Sequence, residues 1–220
     1  MLKAARLITL VTCAALISMV LATTGYTTMT WYSTKADFDA AISTTLLEDF
    51  GSFAPKDTAL PSFTSNGVTY TGFAGTPFPN VWVHSPGYTN FGAGVGTNTT
   101  SMLTANGDED FTADFSTPYT AIGFDTYFNG LGPTTVKVFG ATGLLDSITF
   151  PGNLDDKEYL GIVSTDPITS FRWTSTDGAL SDTGIDNISV SPAHTPEPTT
   201  MLLLGSGLLG LLGLRRKFKK

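Results

Sequence analysis

Cysteine is nearly absent from this chain. Among 220 residues only Cys13 occurs, inside an apolar stretch near the N-terminus. That excludes a disulfide framework, a thiol nucleophile in the rest of the chain and a cysteine-rich zinc site. Histidine is almost as scarce. His84 and His194 are the only two, too few for a histidine zinc centre. A lone strand histidine such as His84 reads as a surface or core residue. No Gly-x-Ser-x-Gly elbow is present for a Ser-His-Asp nucleophile. Long amphipathic helices are missing, which argues against an alternating α/β fold. Gly92, Gly94 and Gly96 lie close together. No Lys-Ser/Thr and no helix pattern follow them, so Tyr88–Thr100 is a loop and not a phosphate cradle.

Positive charge is scarce in the middle of the chain. Lys35, Lys56, Lys137, Lys157 and Arg172 are the only cations between residues 23 and 195, and every acidic residue except Glu197 lies in that stretch. The formal net charge of −7 for the whole chain understates how acidic the middle is. Such an exterior disfavours nucleic acid and anionic lipid as partners. It suits solubility outside the cell and is compatible with divalent cations.

The remaining cations crowd into the two ends. Lys3 and Arg6 precede an apolar run from Leu7 to Leu21, and Val20-Leu21-Ala22 supplies small residues for cleavage after Ala22. Residues 1–22 therefore read as a secretory signal peptide. At the other end, Pro196-Glu197-Pro198 is followed by an apolar run from Met201 to Leu214 and by Arg215-Arg216-Lys217-Phe218-Lys219-Lys220. As a helix, Thr199 to Leu214 spans about 24 Å, short of the roughly 30 Å bilayer core. The basic flank makes up the difference by snorkelling and should stay cytoplasmic. Residues 200–220 are thus expected to be a transmembrane helix with a basic tail, and residues 191–199 a Pro-rich tether.

This tail resembles the PEP-CTERM protein-sorting signal. The resemblance rests on Pro196, Glu197 and Pro198, the Leu/Gly-rich segment and the terminal cluster with Arg215, Arg216 and Lys217, in that order. Thr195 stands where valine is common in the family. The resemblance implies an exosortase, a membrane-embedded transpeptidase-like enzyme of Gram-negative bacteria, as processing partner. It implies passage through the inner membrane to the cell surface or exopolysaccharide matrix.

Residues 23–190 read as one all-β ectodomain. Thr34-Lys35-Ala36-Asp37 resembles a capping box, and Phe38, Ala41 and Ile42 fall at helical spacing, so one short helix is expected near 35–43. Beyond it, runs rich in Val, Ile, Thr, Phe and Tyr alternate with Gly, Pro, Asn and Asp. The pattern predicts strands at Leu46–Phe50, Val68–Phe73, Val81–His84, Phe111–Phe115, Ala121–Phe128, Thr135–Phe139, Leu145–Phe150, Glu158–Val163, Ile168–Thr174 and Gly184–Val190. Many short strands at that spacing suggest an antiparallel β-sandwich or barrel, with Phe124 and Trp173 buried.

The order Leu47-Glu48-Asp49-Phe50, then Phe115 to Asp125, then Gly184-Ile185-Asp186-Asn187-Ile188-Ser189-Val190 is similar to many PEP-CTERM ectodomains. It also resembles the jelly-roll sandwich of carbohydrate-binding modules. That resemblance implies a structural Ca²⁺ shared by Glu48 or Asp49 and Asp186. Other carboxylates cluster at Asp108-Glu109-Asp110 with Asp114, and at Asp177, Asp182 and Asp186, without the spacing of an EF-hand. Trp82, Tyr88, Phe91, Tyr127 and Trp173 are candidates for stacking on sugar rings. Tyr88 and Phe91, in a Gly-rich loop, are the ones expected to be exposed and ligand-binding. Two functions follow from these readings. One is a non-catalytic surface or matrix protein that binds glycan, the reading favoured here. The other is a secreted hydrolase acting on extracellular polysaccharide, which needs two facing carboxyl groups in a cleft.

Overall fold

The computed structural model describes residues 27–73, 79–87, 99–105, 110–127, 133–150, 157–175 and 183–193. Eleven strands and one helix occur among them. The chain enters through β1 (Met29–Tyr32), helix α1 (Lys35–Ala41) and β2 (Thr45–Glu48). It continues through β3 (Ser62–Ser65), β4 (Val68–Gly72), β5 (Val81–His84) and β6 (Met102–Ala105). A very long β7 (Phe111–Tyr127) precedes the hairpin of β8 (Thr134–Gly140) and β9 (Gly143–Phe150). A second long strand, β10 (Lys157–Ser175), and then β11 (Gly184–Pro192) complete it.

The structure is mostly antiparallel β with one short helix, as the sequence predicts. Its two long strands are each read from sequence as a pair of shorter ones. Pro118 and Pro167 explain why. A proline cannot donate to a ladder and sits at edges or irregularities, so each reads as a break. Instead, β7 and β10 pair antiparallel on both sides of their prolines, with register shifts between Val163 and Ile168 and between Ile168 and Ser170. The phase of β7 changes across the same stretch. Phe111, Ala113 and Phe115 are buried, Ser116 to Pro118 are exposed, and Ile122 and Phe124 are buried beyond them.

Each half of the long pair collects its own neighbours. The first half of β7 and the second half of β10 are flanked by β4 and β3 on one side and by β8 and β9 on the other. The second half of β7 and the first half of β10 are flanked by β11 and β1. β2 and β6 both pair with β11, at different points along it. The two halves share one core. Phe124 stacks on Phe171 with ring centroids 5.1 Å apart, and it lies 6.3 Å from Trp173. Trp173 and Phe124 are fully buried, as expected. Each such ring contributes roughly 1.5–3 kcal/mol by leaving water.

Three strands are not anticipated by the sequence reading: β1, β3 and β6. A signal for β3 is present in Asn66-Gly67, the pair that a two-residue hairpin turn favours because both residues take positive φ. They do so here, at 44° and 79°, and β3 pairs with β4 across them.

Helix α1 forms where the capping residues place it. The Thr34 hydroxyl accepts from the Asp37 N–H at 3.2 Å and donates to the Asp37 carboxylate at 2.7 Å. The helix docks on the outer face of the sheet through Phe38, which is fully buried. Its seat is a pair of glycines. Gly123 on β7 and Gly161 on β10 are direct cross-strand partners. A Cβ on Gly161 would lie 2.5 Å from Phe38 Cδ2, and one on Gly123 would lie 2.0 Å from the Tyr159 hydroxyl and 2.7 Å from Phe38 Cε1. Backbone close to an aromatic ring is what these glycines permit.

Among the described residues no helix is long and apolar enough to cross a membrane. The expected signal peptide and the expected membrane segment 200–220 lie outside the described residues. The glycine seat yields a test. Gly161→Ala should destabilise the protein by about 1–3 kcal/mol, the usual cost of overpacking, read by urea unfolding. In a Phe38→Ala background the same change should cost markedly less, because contacting sites are not additive. Equal cost in both backgrounds would show that Phe38 is not what the missing side chain makes room for.

Candidate functional site

The residues expected to share a calcium ion lie on neighbouring strands. Glu48 ends β2 opposite Ile188 of β11, two residues beyond Asp186. Glu48 and Asp186 are both buried. Each carboxylate is held by hydrogen-bond donors of the chain. Glu48 accepts from the Phe50 N–H at 2.7 Å and from the Asn66 side-chain amide at 3.0 Å. Asp186 accepts from the Asn187 N–H at 2.7 Å and from the Thr100 hydroxyl. Asp49 is exposed and accepts from the Gly51 N–H at 2.8 Å. These bonds are structural in effect. Glu48 stabilises the turn at Phe50, whose φ is 53°, and ties it to the β3–β4 hairpin. Among the described residues no three His, Cys, Asp or Glu gather as a metal cage.

The aromatic candidates separate by burial. Trp173 and Tyr127 are core residues, and the Trp173 indole donates to the Thr183 hydroxyl at 2.8 Å. Trp82 is half-buried and stacks on His84, ring centroids 5.7 Å apart. Tyr88 and Phe91 lie outside the described residues, as do Pro196, Glu197, Pro198, Arg215, Arg216 and Lys217. Of the acidic runs, Asp108, Glu109, Asp177 and Asp182 lie outside them too. His84 is buried, and burial holds its pKa below the ordinary histidine value against the opposing pull of Asp57. Its Nδ1 stands 3.3 Å from Asp57 Oδ1, while the Ser85 hydroxyl donates to Asp57 Oδ2 at 2.6 Å. That serine is bonded to the carboxylate and not presented to the imidazole, so the trio lacks the order of a nucleophile relay.

A different place offers a site. Between α1 and the outer face of the sheet is a cleft of about 550 Å³. One wall is helix and loop: Lys35, Asp39, Ile42, Ser43 and Thr44, with Leu46 of β2 at the rim. The opposite wall is Asn187 and Ser189 of β11, and Asp125 of β7 and Tyr159 of β10 complete the lining. Asp125 and Tyr159 are cross-strand partners, so their side chains rise from the same face. Lys35 Nζ pairs with Asp39 Oδ2 at 2.7 Å and lies 6.0 Å from the Tyr159 ring centroid. The Asn187 amide donates to Asp125 Oδ2 at 2.9 Å.

A bulge aims Asn187 into this cleft. Ile185 and Ile188 are both core residues, yet three positions apart they would face opposite ways in a regular strand. The register of β11 on β7 shifts between Asp186 and Ser189, and Asn187 takes φ 52°. The extra residue restores both isoleucines to the core and turns Asn187 out. Tyr159 is 8% exposed and its hydroxyl makes no hydrogen bond. Its pKa is pushed well above the ordinary value, chiefly by burial and further by Asp39 and Asp125.

The sequence reading does not anticipate Asp39, Asp125, Tyr159 or Asn187 as site residues. The isoleucine spacing around Asn187 is a readable sign of the bulge. Nothing in the sequence reports that Asp125 and Tyr159 stand side by side, because that depends on strand register.

The C-terminal segment carries the PEP-CTERM protein-sorting motif, which matches residues 194–217. A motif of this kind implies export and processing by an exosortase, as the tail implied. Among solved structures, the chain is similar to a family 29 carbohydrate-binding module in complex with mannohexaose, at 13% identity over 67% of this chain and 90% of that one, with a TM-score of 0.39. It is also similar to a variant of that module in complex with cellulohexaose, at 13% identity over 67% and 89%, with a TM-score of 0.34. No curated protein matches the chain.

The expected calcium site makes a prediction. Thermal unfolding should have a higher midpoint in Ca²⁺ than in chelator for wild type and not for Asp186→Ala. Identical wild-type midpoints in both conditions would rule out an ion at Glu48 or Asp49 and Asp186.

Proposed function

We propose that this is a non-catalytic protein of the cell surface or exopolysaccharide matrix whose β domain, a jelly-roll-type sandwich, binds glycan. In this reading residues 1–22 direct export and are removed. Residues 200–220 hold the protein in the inner membrane until an exosortase acts near Pro196-Glu197-Pro198. The observation that carries the reading is the position of the sorting motif. It begins at residue 194, directly after β11 ends at Pro192. A folded domain is thereby delivered outside the cytoplasm on a very short tether.

The cleft supports binding over hydrolysis. Both of its carboxylates are held by donors of the chain, Asp39 by Lys35 and Asp125 by Asn187. Carboxylates in such pairs are suited to accept hydroxyls of a ligand. A glycoside hydrolase needs one carboxyl group free to deliver a proton and another to face it across the bond.

The sorting half of the reading is tested in cells that carry an exosortase. A C-terminal epitope tag should be lost from mature protein while a tag within residues 27–193 survives. Replacing Pro196, Glu197 and Pro198 by alanine should leave full-length protein in the membrane fraction. Normal maturation of that variant would contradict exosortase handling.

A further inference from the structure

We propose, building on the exosortase reading, that the processing enzyme seats on one end of the β domain, the end where β7 and β10 bend at Pro118 and Pro167. The reason is reach. β11 is held to its last residues. Ser191 and Pro192 pair with Ala121 and Tyr119. The Ala193 N–H donates to the Pro118 carbonyl at 3.3 Å, and the Thr120 hydroxyl donates to the Pro192 carbonyl at 3.3 Å. The sorting motif starts at residue 194. From Ala193, a fully extended chain puts Pro196 at most about 10 Å away and Pro198 at most about 17 Å away. An enzyme that holds Pro196-Glu197-Pro198 in its active site therefore touches what surrounds Pro118. Fraying β11 to gain reach would draw Val190 and Ile188, both core residues, into water.

The strands place a continuous strip at that end. Pro192 is opposite Tyr119, Tyr119 opposite Ile168, Ile168 opposite Gly140 and Gly140 opposite Gly143. At roughly 4.8 Å per strand, the row extends about 19 Å from the point where the tail leaves. Thr117 and Pro118 are exposed at its near end, and Thr142 is exposed at its far end.

The strip is nearly free of charge. Among residues 116–120, 140–143, 165–167 and 191–193 the one charged side chain is Asp166, and it accepts from the Thr27 hydroxyl. The domain as a whole is acidic. A membrane-embedded enzyme presents its outer surface beside anionic lipid headgroups. Carboxylates brought within a Debye length of that surface, about 8 Å at physiological salt, are repelled. Hydroxyls, prolines and glycines are not, so this end of the domain fits a partner of that kind.

The test has two arms, both on the full chain in cells that carry an exosortase. In the first, an epitope-tagged exosortase lacking its nucleophile holds the substrate. Cys13 lies within residues 1–22, so a cysteine introduced by Thr117→Cys or Thr149→Cys is the one thiol left once that segment is removed. It carries a photo-crosslinking group. The probe at position 117 should crosslink to the exosortase, and the probe at position 149, at the other end of β9, should not. Equal yields from the two would overturn the surface. In the second arm, maturation is followed by loss of a C-terminal tag. Thr117→Trp should slow it several-fold on the native tether. About ten Gly/Ser residues inserted between Ala193 and His194 should restore the wild-type rate, because the enzyme then works clear of the domain. No slowing, or slowing that the insert fails to relieve, would overturn the proposal while leaving exosortase handling intact. Wild type that keeps its C-terminal tag would overturn the exosortase reading itself, and the proposal with it.

Discussion

The antiparallel pairing of β7 with β10 is the constraint on which everything else depends. Two strands this long cannot stay flat and still bury their apolar faces. They bend together near Pro118 and Pro167, where the register shifts, and carry the sheet back over itself. Phe124 on one half then meets Phe171 on the other. The core lies between two halves of the same strand pair, so the chain needs no disulfide to hold them. β11 and β8 extend the halves, and β2 beside β11 brings an early strand against the last one.

The outer face follows from that inner packing. Ile122, Phe124 and Ile162 point into the core, so alternation sends Gly123, Asp125 and Gly161 outward. Two glycines in register leave a shallow seat, and Phe38 fills it with helix α1 above. Tyr159 shares the seat, its hydroxyl over Gly123 and its ring 5.7 Å from that of Phe38, and Asp125 stands beside it. The bulge in β11 adds Asn187 at their side. A single strand pairing thus fixes both the seat and the cleft. The chemistry of the cleft is that of a hydrogen-bonding surface with its own carboxylates already paired.

How much of this is legible in the sequence differs by level. Composition and alternation reveal a β protein with one capped helix, because burying one face of a strand imposes a period of two that neighbouring residues display. Trp173 and Phe124 declare themselves as core in that way. The tail was readable because a sorting signal is a linear pattern, recognised without folding. The long strands were misdivided because prolines look like ends when they are bends. The resemblance pairs Glu48 with Asp186, and β2 lies beside β11 with Glu48 opposite Ile188. Their hydrogen-bond partners, Asn66 and Thr100, are distant in sequence and gave no warning. The cleft was illegible for the same reason: Asp39, Asp125, Tyr159 and Asn187 are contributed by four separate elements.

The most direct measurement is native-state amide hydrogen exchange, read residue by residue by nuclear magnetic resonance. Amides of β7 and β10 on both sides of Pro118 and Pro167 should share the slowest rate, that of global unfolding, because the two halves of the pair enclose one core. Separate rates for the two halves, one opening while the other stays protected, would contradict the account.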